Sequence, residues 1–127
     1  MVTALPVPTG RPRDPRPQPV HGRTAFVQLR RSRRRSWSGP VRVQFLPAQG
    51  TDEIRRVAFA VPRKVGSAVE RNLFRRRLRA ITAGATAMIP PGAYLVGIDQ
   101  GVRDLPFQEL EAKVIEAMQR ASQKCAR

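Results

Sequence analysis

The chain has 127 residues, 24 of them lysine or arginine against nine acids, for a net charge of +15 at pH 7. That length holds one modest domain, and that charge excludes an ordinary balanced enzyme in favour of a polyanionic partner or an anionic surface. A single cysteine, Cys125, rules out an intrachain disulfide, and no apolar run approaches the roughly 18 residues of a membrane span. The expected setting is a reducing cytoplasm, with no membrane association and no secretory leader.

Residues 1–21 read as an arm. The first 20 residues hold six of the twelve prolines, with Arg11, Arg13 and Arg16 between them. Such density excludes helix and sheet interior and predicts an extended, disordered segment. His21 has no second histidine, cysteine or acid cluster nearby, so it supports neither a metal site nor a catalytic dyad. The domain proper is expected over 22–127.

A short helix is predicted over 23–31, where Ala25, Phe26 and Leu29 recur at helical spacing. Arg30, Arg31, Arg33, Arg34 and Arg35 then form a basic block, read as a linker, before Trp37 and the Gly39-Pro40 turn. From Val41 to Pro47 the pattern alternates. Val41, Val43 and Phe45 point one way, while Arg42, Gln44 and Leu46 point the other, where RNA has room to lie. A turn-rich loop at 48–53 leads to a second strand at 55–61, with Val57, Phe59 and Val61 opposite the small Ala58 and Ala60. Pro62 ends that ladder.

The stretch from Val65 to Ala80 predicts one helix. Gly66 turns into it, Ser67 caps it, and Glu70 completes a capping box. At ~100° per residue, Arg71, Asn72, Arg75, Arg76 and Arg79 share an arc of roughly 140°. Val69, Leu73, Phe74, Leu78, Ala80 and Ile81 take the other side, with Arg77 among them. Arg77 either snorkels past its neighbours or marks where the packed face ends. No acid follows Glu70 until Asp99, so no i,i+4 partner relieves the repulsion among the arginines. A helix that accepts such repulsion suits a phosphate backbone. All but three of the basic residues are arginine. That fits either the bidentate match of guanidinium to phosphate or a genomic base-composition bias.

Beyond this helix, Ile89-Pro90-Pro91-Gly92 breaks the pattern, and the apolar run Ala93–Ile98 predicts a strand covered on both faces. Asp104 and Pro106 announce a last helix striped by Phe107, Leu110, Val114, Met118 and Ala121. From Asp99 onward acids and bases balance, so this end serves as scaffold and the excess charge lies upstream.

Val61-Pro62-Arg63-Lys64-Val65-Gly66-Ser67-Ala68-Val69, then Arg71-Asn72, Arg75-Arg76 and Arg79, resemble the signature of the bacterial ribonuclease P protein component. The resemblance spans roughly residues 22–121. It departs at Leu73, where the family pattern has arginine. The elements predict an α/β two-layer sandwich in the order α-β-β-α-β-α. The general rule favours a right-handed strand–helix–strand crossover, whereas the resemblance implies a left-handed one in a mixed sheet, and the left-handed crossover is expected here.

The resemblance also implies function. The partners would be a catalytic RNA and precursor tRNA, and the reaction would be Mg2+-dependent removal of the 5′ leader by the ribonucleoprotein. In that reading the RNA holds the Mg2+ and catalyses, while the protein, expected to be monomeric, has no catalytic residue. Arg71, Asn72, Arg75, Arg76 and Arg79, with Arg63 and Lys64, would contact the RNA. Phe26, Arg30, Arg42 and Gln44 would line a cleft for the leader. Phe26 equally suits ordinary core packing. The nine acids form no clustered set, which argues separately against a self-sufficient nuclease. A general RNA-binding protein of ribosomal type, without a role in cleavage, fits the same charge and fold.

Overall fold

The computed structural model describes residues 17–20, 22–48 and 54–123. Along the chain these form β1 (Gln18–Pro19), α1 (Arg23–Arg30), β2 (Arg35–Ser38), β3 (Val41–Pro47), β4 (Arg55–Ala60), α2 (Ala68–Gly84), β5 (Gly92–Ile98) and α3 (Phe107–Gln123). Most of the expected arm, His21, the 49–53 part of the loop and Cys125 lie outside the described residues.

The strands make one mixed sheet in the order β1-β4-β5-β3-β2. Strands β4 and β5 are parallel neighbours joined through α2, whereas β3 runs antiparallel to both β5 and β2. The six expected elements are present in the expected order. Two strands are additional. Strand β2 starts at Arg35, the last residue of the arginine block read as a linker, and runs to Ser38, because pairing with β3 gives its backbone partners that the local sequence does not announce. Strand β1 falls at the end of the expected arm, in parallel register with β4. Proline is tolerated there because an edge strand leaves one side of its backbone unpaired.

Alternation decides the layers. Val41, Val43 and Phe45 of β3 join Tyr94, Val96 and Ile98 of β5 in a core closed by α2 and α3. From α2 come Phe74, Leu78 and Ile81, and from α3 Leu110, Val114, Ala117, Met118 and Ala121. Strand β5 is buried along nearly its whole length, as its unbroken apolar run requires. Phe107, expected in the α3 stripe, is instead exposed. The helix begins at Phe107 itself, so Pro106 rather than Asp104 precedes its first turn. Inside the core, the Phe45 and Tyr94 rings lie 4.8 Å apart and the Tyr94 hydroxyl donates to the Pro90 carbonyl at 2.6 Å. Burial pushes the Tyr94 phenol well above its ordinary pKa. Replacing Tyr94 with phenylalanine removes the donor but keeps the ring. It is expected to cost about 1 kcal/mol in a urea unfolding curve, with an unchanged slope.

The opposite face of the sheet carries α1. Leu29 of α1 and Leu95 of β5 are buried outside the main core cluster. Gln44 corrects an expectation. It is buried rather than open, and its amide donates to the Arg30 carbonyl at 2.6 Å, tying the last turn of α1 to the sheet. A buried amide must find a partner, and an unmet backbone carbonyl at a helix end supplies one. The buried Ser32 hydroxyl, which donates to the Phe45 carbonyl, secures the same junction.

Candidate nucleic-acid interface

Helix α2 starts as its sequence dictates. The Ser67 Oγ accepts the Glu70 N–H at 3.2 Å, and Glu70 Oε1 accepts the Ser67 N–H at 2.8 Å. A β-carbon at Gly66 would crowd the Glu70 carboxylate, so the glycine leaves that side chain room to close the capping box. The other carboxylate oxygen pairs with Arg103 at 3.0 Å. The Ser67 backbone N–H and then the Arg103 charge hold the Glu70 carboxyl below its ordinary pKa. The one acid of α2 is thus engaged at the cap and does not neutralise the arginines beyond it.

Phe74, Leu78, Ile81 and Thr82 are the buried residues of α2. Arg71 and Arg75 are half-buried on one flank of that stripe, while Asn72, Arg76 and Arg79 are exposed beyond them. The five predicted contact residues therefore do lie on one side of the helix. Arg75 Nη1 donates to Asn72 Oδ1 at 3.3 Å, so the amide orients a guanidinium rather than standing alone. Arg71 Nε is buried and lacks a hydrogen-bond partner.

The predicted apolar half is narrower than expected. Val69 is 78% exposed, and Leu73 and Ala80 are exposed as well. On a helical wheel these three lie roughly 120–160° from the centre of the buried stripe, too far to reach the sheet. Arg77 resolves in favour of snorkelling, since its guanidinium carbon stands 5.5 Å from the Phe74 ring centroid and so covers apolar surface.

Arg63 and Lys64 occupy a short 3-10 turn, Arg63–Val65, pinned by the fully buried Val65. Both are exposed. On the outer sheet face the guanidinium of Arg30 stands 6.0 Å from the Phe26 ring, and Phe26 is half-buried there, outside the main core. Arg42 is exposed on the same face as Gln44 and reaches across Gly97 of β5. The structure thus brings Phe26, Arg30 and Gln44 together, with Arg42 two residues along β3 from Gln44.

Two open grooves flank these elements. One, of about 540 Å³, is lined by Trp37, Arg42, Ala60, Lys64, Gly97 and Asp99, among others. The other, of about 790 Å³, lies between α2 and the β1–β4 edge, where Arg76 and Arg79 face Val57, Phe59 and Pro19. Sequence reading missed Trp37 as a groove residue. The signal was the Ser36-Trp37-Ser38 alternation ahead of the Gly39-Pro40 turn.

The described residues offer no ligand set for the magnesium that the family resemblance implies. Among the described residues no three His, Cys, Asp or Glu side chains come together. No helix among them is long and apolar enough to cross a membrane.

A family model for ribonuclease P matches residues 15–122. The chain belongs to the ribonuclease P protein family. The ribonuclease P protein component of Clavibacter michiganensis subsp. michiganensis is 37% identical over 89 residues, 69% of this chain and 78% of the relative. That of Symbiobacterium thermophilum is 45% identical over 67 residues, 52% of this chain and 58% of the relative. Among solved structures, the RNase P protein from Thermotoga maritima superposes with a TM-score of 0.71 at 20% identity, covering 81% of this chain and 96% of its own. At that identity the likeness speaks for the fold, and it agrees with the mixed sheet and three helices described above. Leu73, the departure expected from the resemblance, is exposed beside Arg76 and Arg77, so the helix keeps cations on both sides of it.

Proposed function

We propose that this chain is the protein subunit of a ribonuclease P ribonucleoprotein, assisting removal of the 5′ leader from precursor tRNA. Arg71, Asn72, Arg75, Arg76 and Arg79, with Arg63 and Lys64, contact the catalytic RNA and lower the phosphate repulsion around it. Phe26, Arg30 and Arg42 hold the single-stranded leader through stacking and backbone charge, which tolerate any leader sequence. Gln44 contributes by fixing α1 to the sheet. The RNA holds the magnesium and cleaves, and the protein, a cytoplasmic monomer, binds and orients. The observation that carries this reading is the α2 flank, a row of arginines whose helix spends its one acid on the cap.

Reconstitution tests it. Added to a bacterial ribonuclease P RNA at low magnesium, the chain is expected to restore cleavage of precursor tRNA, while the chain alone cleaves nothing. Binding to the RNA with an unchanged magnesium requirement would instead favour a general RNA-binding protein.

A further inference from the structure

Strand β2 places its residues against the interest of folding. Ser36 and Ser38 point inward and are 4% and 7% exposed, while Trp37 between them is 54% exposed. A shift of one residue would exchange them and bury the indole. The observed register is held firmly. Ser38 Oγ donates to Glu116 Oε1 of α3 at 2.7 Å, and Trp37 pairs with Arg42 across the antiparallel ladder. Where a local choice defeats burial and the structure enforces it, a binding role is the expected compensation.

The surroundings of Trp37 say what would bind. Continuing the cross-strand row, Arg42 pairs with Gly97, and Gly97 with Ala60. Gly97 has no side chain, and a β-carbon there would lie 3.2 Å from Arg42 Nη2, so the guanidinium rests low across β5. Lys64 lines the same groove from the turn before α2. The remaining charged lining residue is Asp99, whose Oδ1 accepts the Gly101 N–H at 2.8 Å. Two cations against one acid leave the groove positive. An exposed ring at one wall, a small-residue floor and cations alongside match a nucleotide: a flat base with its phosphate attached.

We propose that Trp37 is a stacking platform for one unpaired base, whose phosphate is held by Arg42 and Lys64. This site carries the path of single-stranded RNA across the sheet to its β2 edge. The inference rests on the proposed leader-binding role, which it makes more specific.

The chain has one tryptophan, so its fluorescence reports this site alone. Titration of the full chain with eight-nucleotide oligoadenylate and oligouridylate is expected to give saturable quenching, whereas a duplex of the two gives none. Arg42→Ala with Lys64→Ala is expected to move the midpoint up by about tenfold. Unchanged fluorescence while a labelled oligonucleotide reaches full binding by anisotropy would overturn the proposal. In the assembled ribonucleoprotein, Trp37→Leu is expected to weaken binding of leader-bearing precursor tRNA by roughly tenfold or more, with leaderless tRNA unaffected. Trp37→Phe, which keeps a ring, is expected to retain most of the affinity. Where wild-type protein favours leader-bearing substrate, equal behaviour of the Leu and Phe variants would also overturn it. If that equality appears while wild-type protein still favours leader-bearing substrate, the leader-binding role stands and only the Trp37 site falls. If wild-type protein shows no leader preference yet the oligonucleotides quench Trp37, the broader role falls and the stacking site stands.

Discussion

A chain carrying Arg76→Ala and Arg79→Ala together is expected to keep its fold and to bind ribonuclease P RNA on the order of a hundredfold more weakly. Both side chains are exposed on α2, so neither removal opens the core. Each charge-assisted contact to a phosphate is worth about 1.5–3 kcal/mol, and two of them account for that loss. Salt dependence gives a sharper readout. About six phosphate contacts predict a log–log slope near −4 to −5 for the natural chain, and the double variant should be shallower by about 1.5. The magnesium needed for half-maximal precursor cleavage should rise in parallel. An unchanged slope and an unchanged magnesium titration, with circular dichroism showing intact helix, would remove α2 from the interface.

Leu78→Ala on the same helix should act through the fold alone. Leu78 is fully buried between the sheet and α3. Truncation there removes buried apolar surface and leaves a cavity, at a cost of about 2–5 kcal/mol. For a domain of this size that corresponds to a fall in Tm of roughly 10–20 °C. Well below the lowered Tm, RNA affinity and salt slope should match those of the natural chain. A Leu78 variant that melts normally but loses RNA affinity would mean that the helix packs by a different face.

These two variants separate what the residue pattern disclosed from what it concealed. The start of α2 was legible because Ser67 and Glu70 satisfy each other within one turn, with no help from outside. The arginine flank was legible for the same reason, since helical spacing alone puts Arg71, Asn72, Arg75, Arg76 and Arg79 on one arc. The width of the packed stripe was not. Val69 and Leu73 are apolar, yet whether an apolar residue is covered depends on where the sheet ends, and these two lie outside its reach. Gln44 was misread for a related reason. Alternation correctly put it on the outer face, but only the position of α1 turned that face inward at this residue.

Taken alone, the order of residues determined the local periods, the cap, the six main elements, and the concentration of positive charge upstream of Asp99. Those features depend on neighbours within a turn or a strand. The tertiary structure decided which faces close. It recruited Gln18–Pro19 and Arg35–Ser38 into the sheet, buried Gln44 against α1, and left Trp37 standing open beside Arg42. Burial and pairing are properties of distant partners brought together by packing, and a linear pattern does not say which partner arrives.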